Sequence, residues 1–234
     1  MNIQIIKPTG RVFTGGDTHG ELQLLLQKLK EVGFDKSKDI YVATGDLIDR
    51  GPDSLGCLKL LEEDWFYSVM GNHEDLAYKT FHGNSQNERD ENFACWIQNG
   101  GNWYFDLDED DKKVFHRLLE EQVASMPYLI EIQLKNGRRI GICHACVPGR
   151  DWNSIGPELT SIQKEATLWH RGPANDIIAA LENPWDDWEQ DYHVKNIDEV
   201  YLGHTPARQP FSGANLNFID TGAFHTGVLT VIEL

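Results

Sequence analysis

The sequence lacks several features that would mark a membrane or nucleic-acid-binding protein. No apolar run approaches the roughly 18 residues of a membrane span, and the first residues, MNIQIIKPTGRV, contain no long apolar segment of the kind found in signal peptides. Positive charge is scarce, since 21 lysines and arginines stand against 37 aspartates and glutamates, for a net charge of −16. Nucleic-acid phosphates are bound by basic surfaces. We therefore expect a cytoplasmic protein that binds neither membrane nor nucleic acid, and that holds anionic ligands through local positive charge or metal.

Several familiar binding motifs are missing as well. Among four cysteines, only Cys143 and Cys146 form a C-x-x-C pair, and a structural zinc site would need a second pair. Pro148 and Gly149 disfavour the helix start of a thioredoxin-like pair, so we expect reduced thiols. The sequence contains no P-loop and no G-x-G-x-x-G. The acidic run 106–111 resembles an EF-hand start but lacks the glycine at its sixth position, and it predicts the exposed beginning of a helix instead.

Hydrophobic periodicity predicts an α/β fold, with one domain over residues 1–234. Strands alternate with amphipathic helices in the order RVFTGG, GELQLLLQKLKEVGF, DIYVATG, PDSLGCLKLLEE, FYSVMG and EDLAYKTF. This order implies parallel strands joined by helical crossovers. We then expect a hairpin with Asn136–Gly137 at its turn, a strand in EVYLGHTP, and two final strands around a glycine-containing turn. Residues 81–125 are predicted to be mostly helical, whereas residues 149–196 show no clear pattern.

Unusual polar clusters follow five of these strands, in GGDTHG, TGDLIDRG, MGNHED, ICHA and YLGHTP. The carboxyl ends of strands in α/β sheets converge on one crevice, where ligands bind. Each cluster alone also suits a helix cap or a turn. Together they predict one site that contains Asp17, His19, Asp46, Asp49, Arg50, Asn72, His73, His144 and His204.

Six of these side chains are suited to binding metal: Asp17, His19, Asp46, Asn72, His144 and His204. Carboxylate, amide and imidazole donors without thiolate favour Mn²⁺, Fe or Zn²⁺. Six ligands are too many for one ion that must also admit substrate, but they suit two ions about 3.5–4 Å apart that share one carboxylate and one water. Such a pair activates the water and neutralises a phosphoryl group, and an arginine fork completes the phosphate site.

The ordered set GDTHG, GDLIDRG, GNHED, HA and GHTP resembles the PPP family of metal-dependent serine/threonine phosphatases, above all its small phage lambda and enterobacterial members. The likeness continues through GGNWYFDLD, MPYLIEI and FIDTG and covers the chain from about Arg11 onward. It implies a calcineurin-like metallophosphoesterase fold, an α/β sandwich of two mixed β-sheets flanked by helices. It also implies a phosphorylated protein or peptide as substrate and two divalent ions, with Mn²⁺ preferred.

The resemblance also implies a role for each cluster. It distributes the metal ligands between two ions, with Asp17 and His19 on the first, Asp46 bridging, and Asn72, His144 and His204 on the second. Arg50 and Arg171, the latter in LWHRGP, would hold the phosphate, and Asp49 would support His73. Six ligands suffice for two ions, so we keep His73 off the metals as a proton donor. Nearby dications would lower the pKa of a lone imidazolium, so Asp49 is needed to hold its proton.

Hydrolysis of phosphoserine and phosphothreonine esters is the function these features favour, by direct attack of a metal-bridging water. Symmetrical diadenosine tetraphosphate hydrolases have very similar motifs, but they typically carry alanine where Asp49 stands. A metal-binding scaffold without catalysis is a third interpretation, which the full ligand set disfavours. Cys146 departs from the family, which tends to have an acidic residue or glycine there. We expect His225 at the surface or in a cap, and no oligomer is required.

Overall fold

A computed structural model describes residues 3–234, and its strands form two mixed sheets. The strands are β1 (Ile3–Ile6), β2 (Val12–Gly15), β3 (Ile40–Ala43), β4 (Phe66–Ser68), β5 (Leu129–Gln133), β6 (Arg139–Cys143), β7 (Glu199–Leu202), β8 (Phe211–Gly213), β9 (Leu216–Phe218) and β10 (Val231–Glu233). The four-stranded sheet has the order β10-β2-β3-β4, and the six-stranded sheet has the order β1-β5-β6-β7-β9-β8. The predicted fold class is confirmed.

The helices are α1 (Leu22–Glu31), α2 (Ser54–Lys59), α3 (Asn72–His82), α4 (Gln86–Gln98), α5 (Glu109–Glu121), α6 (Ser161–Trp169), α7 (Gly172–Glu182), α8 (Trp188–Tyr192) and α9 (Ala223–Thr226). A 3₁₀ turn, Gly101–Asp106, follows α4. Asp108 caps α5 by accepting from two backbone N–H groups, so the acidic run does begin a helix. Within residues 3–234, no helix is long and apolar enough to cross a membrane.

Alternate side chains of each strand face different layers of the fold. In β2, Val12 joins the apolar cluster between the two sheets, where it meets Ile130 and Ile142, whereas Phe13 packs toward the helices that cover the four-stranded sheet. The outer face of the six-stranded sheet packs against Ile177 of α7. The two sheets therefore bury one core between them and a further core under the helices on each side.

The predicted crossovers are confirmed, because β2 pairs parallel with β3 and β3 pairs parallel with β4. The predicted β5–β6 hairpin is also present. The two final strands do not pair with each other: β9 pairs with β7, while β10 crosses to the other sheet and pairs antiparallel with β2. The predicted start of α3 was late, because the helix begins at Asn72, where the Glu74 side chain accepts the N–H of Gly71.

Three helices, α6, α7 and α8, lie in the stretch whose sequence pattern was unclear. Strands β1 and β8 were not predicted either, and both lie at edges of the six-stranded sheet, where β1 pairs with β5 and β8 with β9. Both strands are short, and Gly213 is the one fully buried residue in them, so their sequences carry little apolar pattern.

Candidate metal centre

The five predicted clusters follow strands from both sheets: β2, β3 and β4 of the four-stranded sheet, and β6 and β7 of the six-stranded sheet. Close polar contacts and ring contacts join all the predicted side chains into one network, which contains Asp17, His19, Asp46, Asp49, Arg50, Asn72, His73, His144, Arg171 and His204. The two sheets pack face to face, and the loops that follow strands of both sheets thus build a single site.

The carboxylate of Asp46 lies at the centre of this network. Its Oδ2 is 3.6 Å from Nε2 of His19 and 3.8 Å from Nε2 of His73, and its Oδ1 is 3.4 Å from Nε2 of His144. Two groups of potential metal ligands share this residue, one with His19 and His73 and the other with His144 and His204. One oxygen of Asp46 faces each group, so this carboxylate lies where both groups could share it.

Backbone conformation in the loops is unusual at the same positions. Five non-glycine residues of the site have positive φ: His19 (45°), Asp46 (51°), Asp49 (74°), Arg50 (72°) and His204 (63°). Such conformations cost on the order of 1 kcal/mol or more each and collect at functional sites. The backbone at Gly203 also lies so close to Asp17 that a side chain would not fit, since a Cβ on Gly203 would collide with Oδ1 of Asp17.

Three of the histidines share one arrangement, in which one ring nitrogen faces a backbone carbonyl and leaves the other for the site. The pairs are Nδ1 of His19 with Ile48 O (2.9 Å), Nδ1 of His144 with Thr44 O (2.8 Å), and Nε2 of His204 with Trp169 O (3.2 Å). A carbonyl only accepts, so the facing nitrogen carries the hydrogen and the other nitrogen presents a lone pair. Metal-binding histidines typically have this second contact.

His73 is held differently, because its Nδ1 lies 2.6 Å from Oδ2 of the Asp49 carboxylate. Burial lowers the pKa of His19 and of His204 to about 3, which keeps both as neutral imidazoles, the form that binds metal. Burial opposes a charge on His73 too, but the carboxylates of Asp46 and Asp49 outweigh it and raise the pKa of His73. The surroundings of His73 therefore favour the protonated ring, whereas those of His19 and His204 favour the neutral ring.

Asp17 lies beside the two groups, with Oδ2 accepting the backbone N–H of His204 (2.9 Å) and Oδ1 accepting from Oγ1 of Thr44 (3.2 Å). Sequence reasoning gave no role to Asp220, a buried carboxylate beside Asp17. Burial and the charges of Asp220 and Asp46 raise the pKa of Asp17 well above its ordinary value. A divalent cation would relieve this repulsion, so the carboxylate and imidazole donors fit the metal ions that the motifs imply.

Glu74 is a second residue whose role was not predicted. Its buried carboxylate accepts four backbone N–H groups, from Asp46 (2.9 Å), Leu47 (2.8 Å), Ile48 (3.2 Å) and Gly71 (3.1 Å). It thus ties the first turn of α3 to the loop after β3. The GNHED cluster therefore delivers a candidate ligand, a candidate proton donor and the group that fixes the loop carrying Asp46.

The remaining predicted residues are the buried Asn72 and two arginines at the rim of the site. Oδ1 of Asn72 is 2.9 Å from Nε2 of His144, a member of the second ligand group. Arg50 and Arg171 are both exposed. Nη1 of Arg50 lies 2.8 Å from Nε2 of His19, and Nη2 of Arg171 donates to His204 O at 3.2 Å. The guanidinium groups of Arg50 and Arg171 therefore border the buried acidic centre.

His225 is exposed, as expected, and its neighbour Phe224 contacts the site instead. The Phe224 ring lies 5.5 Å from that of His19. Cys143 and Cys146 are free thiols that flank His144. Burial raises the pKa of Cys146 to about 11 and that of Cys143 well above its ordinary value, which keeps both protonated and poorly reactive.

The sequence is similar to those of several known proteins. Serine/threonine-protein phosphatase 1 of Salmonella typhimurium is 32% identical over 225 residues, which cover 95% of this chain and 91% of that protein. Serine/threonine-protein phosphatase 2 of Escherichia coli is 32% identical over 223 residues, covering 95% and 92%. The asymmetrical bis(5'-nucleosyl)-tetraphosphatase PrpE of Oceanobacillus iheyensis is 29% identical over 229 residues, covering 92% and 85%.

The fold also matches solved structures. A crystal structure described as that of a proposed diadenosine tetraphosphatase aligns over 100% of this chain and 97% of its own, with a TM-score of 0.62 and 21% identity. Residues 11–208 match the family model of the calcineurin-like phosphoesterases. That match spans most of the chain, including all of the predicted clusters. The chain therefore belongs to the calcineurin-like phosphoesterases.

Proposed function

We propose that this phosphoesterase hydrolyses phosphoserine and phosphothreonine esters in proteins. The observation that carries the proposal is the buried pair of His73 and Asp49, with Nε2 of His73 facing the Asp46 carboxylate at 3.8 Å. A serine or threonine alkoxide is strongly basic and needs a proton as it leaves. An imidazolium beside the ligand that serves both metal groups is positioned to supply that proton.

The ligand set proposed for two divalent ions, with Mn²⁺ preferred, is Asp17, His19, Asp46, Asn72, His144 and His204. When bound, the ions would acidify a water molecule and neutralise phosphoryl charge. Arg50 and Arg171 would bind the phosphoryl oxygens through their planar forks. No covalent phosphoenzyme is expected, because an activated water makes a nucleophilic side chain unnecessary. The likeness to two serine/threonine phosphatases at 32% identity supports this substrate class.

Hydrolysis of diadenosine tetraphosphate is the second candidate, favoured by the likeness to an asymmetrical tetraphosphatase at 29% identity. That reaction expels a phosphate or nucleotide, which leaves without the strong need for a proton that an alkoxide has. A buried imidazolium–carboxylate pair would then contribute little to the rate. The His73–Asp49 pair therefore favours the ester over the anhydride.

A direct test compares three substrates with purified, Mn²⁺-loaded protein: a phosphoserine peptide, 4-nitrophenyl phosphate and diadenosine tetraphosphate. We expect turnover of the peptide and of the aryl ester. Preference for the dinucleotide would overturn the proposal, and no turnover of any substrate would indicate a scaffold. Metal analysis of the same sample should give two ions per chain, and one ion at full activity would contradict the two-metal proposal.

A further inference from the structure

The carboxylate of Asp49 is buried among two indole groups as well as the His73 ring. Nε1 of Trp103 donates to Oδ1 at 2.6 Å, and Nε1 of Trp96 lies 3.0 Å from both Oδ1 and Oδ2. Asp49 has no exposed surface, so these donors take the place that water would otherwise occupy. Oδ2 is the oxygen that also meets Nδ1 of His73.

Indole groups suit the binding of a buried carboxylate because they only donate hydrogen bonds. An indole N–H has no lone pair to accept a proton, so it cannot compete with His73 for one. Both rings are also fixed in place: Trp96 is parallel to Phe115 with centroids 6.0 Å apart, and Trp103 meets Phe115 edge-on at 5.4 Å. The two donors therefore reach Asp49 from a packed aromatic cluster with little freedom to move.

The same short segment also holds the neighbouring Arg50. The carbonyl of Asn99 accepts Nε of Arg50 at 3.4 Å, and the carbonyl of Gly100 accepts its backbone N–H at 3.5 Å. Gly100 has φ of 109°, and a Cβ there would press on the Arg50 side chain. The segment 96–103 thus contacts two adjacent residues of the loop after β3, one through indoles and one through carbonyls.

We propose that Trp96 and Trp103 are positioning residues, which fix the Asp49 carboxylate and thereby aim Nε2 of His73 at the leaving-group oxygen. This inference rests on the proposed function, in which His73 donates that proton. A carboxylate bound by His73 alone could rotate about its Cβ–Cγ bond and release the ring from its present direction. Two further donors on the same pair of oxygens remove that freedom.

The test removes each N–H while keeping an aromatic ring, in Trp96→Phe, Trp103→Phe and the double variant. We expect kcat for a phosphoserine peptide to fall roughly tenfold in each single variant and roughly a hundredfold in the double variant. The kcat for 4-nitrophenyl phosphate, whose leaving group needs little protonation, should change less than about twofold. KM for the peptide and the bound Mn²⁺ should stay as in the wild type.

Trp152→Phe is the matched control, because Nε1 of the buried Trp152 also donates to a carboxylate oxygen, that of Glu131, at 2.8 Å but away from the site. This control should leave the ratio of the two kcat values unchanged. Trp103 is half-buried, so its variant serves as the test even where Trp96→Phe unfolds. Equal losses on both substrates, or an unchanged ratio in Trp103→Phe, would overturn the inference. Failure of the wild type on the peptide would instead overturn the proposed function.

Discussion

Nδ1 of His73 lies 2.6 Å from Oδ2 of Asp49, and neither side chain is appreciably exposed. His19, His144 and His204 in the same site each place a ring nitrogen against a backbone carbonyl instead. A carboxylate stabilises a charged imidazolium, whereas a carbonyl only fixes the tautomer of a neutral ring. The contact partner of each ring thus separates one candidate proton donor from three candidate ligands.

His73→Asn should impair phosphoserine hydrolysis far more than hydrolysis of 4-nitrophenyl phosphate. General-acid catalysis contributes about 10²–10⁴-fold, and only the alkoxide leaving group needs it. Steady-state kinetics on both substrates, with metal analysis of each sample, measures the effect. Because Nε2 of His73 is 3.8 Å from Asp46, a role as metal ligand is the rival explanation. Equal losses on both substrates, or loss of bound metal, would favour that rival.

Glu74→Gln should destabilise the protein by about 3 kcal/mol and weaken Mn²⁺ binding. The amide would turn an N–H₂ group toward backbone N–H donors that the carboxylate now satisfies. Urea unfolding of metal-free protein gives the first effect and calorimetric titration with Mn²⁺ the second. Glu62→Gln, which breaks the exposed ion pair with Arg117, is the control and should change stability by less than about 1 kcal/mol. A similar change in both variants would contradict the role of Glu74.

Metal removal should lower the thermal stability of the protein, and Mn²⁺ should restore it. An ion that binds only the folded state adds about 2.7 kcal/mol at a hundredfold excess over its Kd. Asp46→Asn removes the carboxylate common to both ligand groups and should abolish most of this Mn²⁺-dependent shift in Tm. Asp39→Asn changes a buried carboxylate that pairs with Arg11 elsewhere, and it should keep the shift. An undiminished shift in Asp46→Asn would argue against Asp46 as the bridge.

Glu131 should make the stability of the metal-free protein depend on pH in the acid range. Burial raises the pKa of Glu131, but hydrogen bonds from Arg139, Gln133 and Trp152 together outweigh it and hold the pKa below its ordinary 4.5. The folded state then binds fewer protons than the unfolded chain, so this stabilisation is present above about pH 4.5 and is lost as pH falls through the folded pKa.

Glu131→Gln removes the titrating group and should cost roughly 2 kcal/mol at pH 7. The difference in unfolding free energy between wild type and variant should shrink as the pH falls below about 4.5. Urea unfolding of both proteins at a series of pH values, with chelator present, measures this free-energy difference. A difference that stays constant down to pH 3 would show that Glu131 has the same pKa in both states.

The sequence alone predicted which residues lie together in the candidate site, because its clusters are local features. Each follows directly after a strand whose apolar pattern is visible, and strand ends in α/β sheets converge. Residues with unusual backbone conformations, such as Asp46 and Asp49, fell within those clusters. Strand pairing was harder to predict from the sequence, because β10 joins β2 across more than 200 residues and no local pattern selects that partner.

The supporting residues were missed because their roles depend on distant contacts. Trp103 reaches Asp49 across 54 positions, and Glu74 reaches the N–H of Asp46 across 28. A tryptophan in an amphipathic segment or a glutamate near a helix start has many ordinary uses, so neither residue type signals a contact with the site.

Residue chemistry and chain order therefore determined that this protein has imidazole, carboxylate and guanidinium groups collected at strand ends, and hence a metallophosphoesterase site. Only the tertiary structure showed which neighbours hold those groups in place. Whether a histidine is neutral or charged depends on burial and on which acceptor faces its ring. For His73 that acceptor is a carboxylate held by two indoles from another part of the chain.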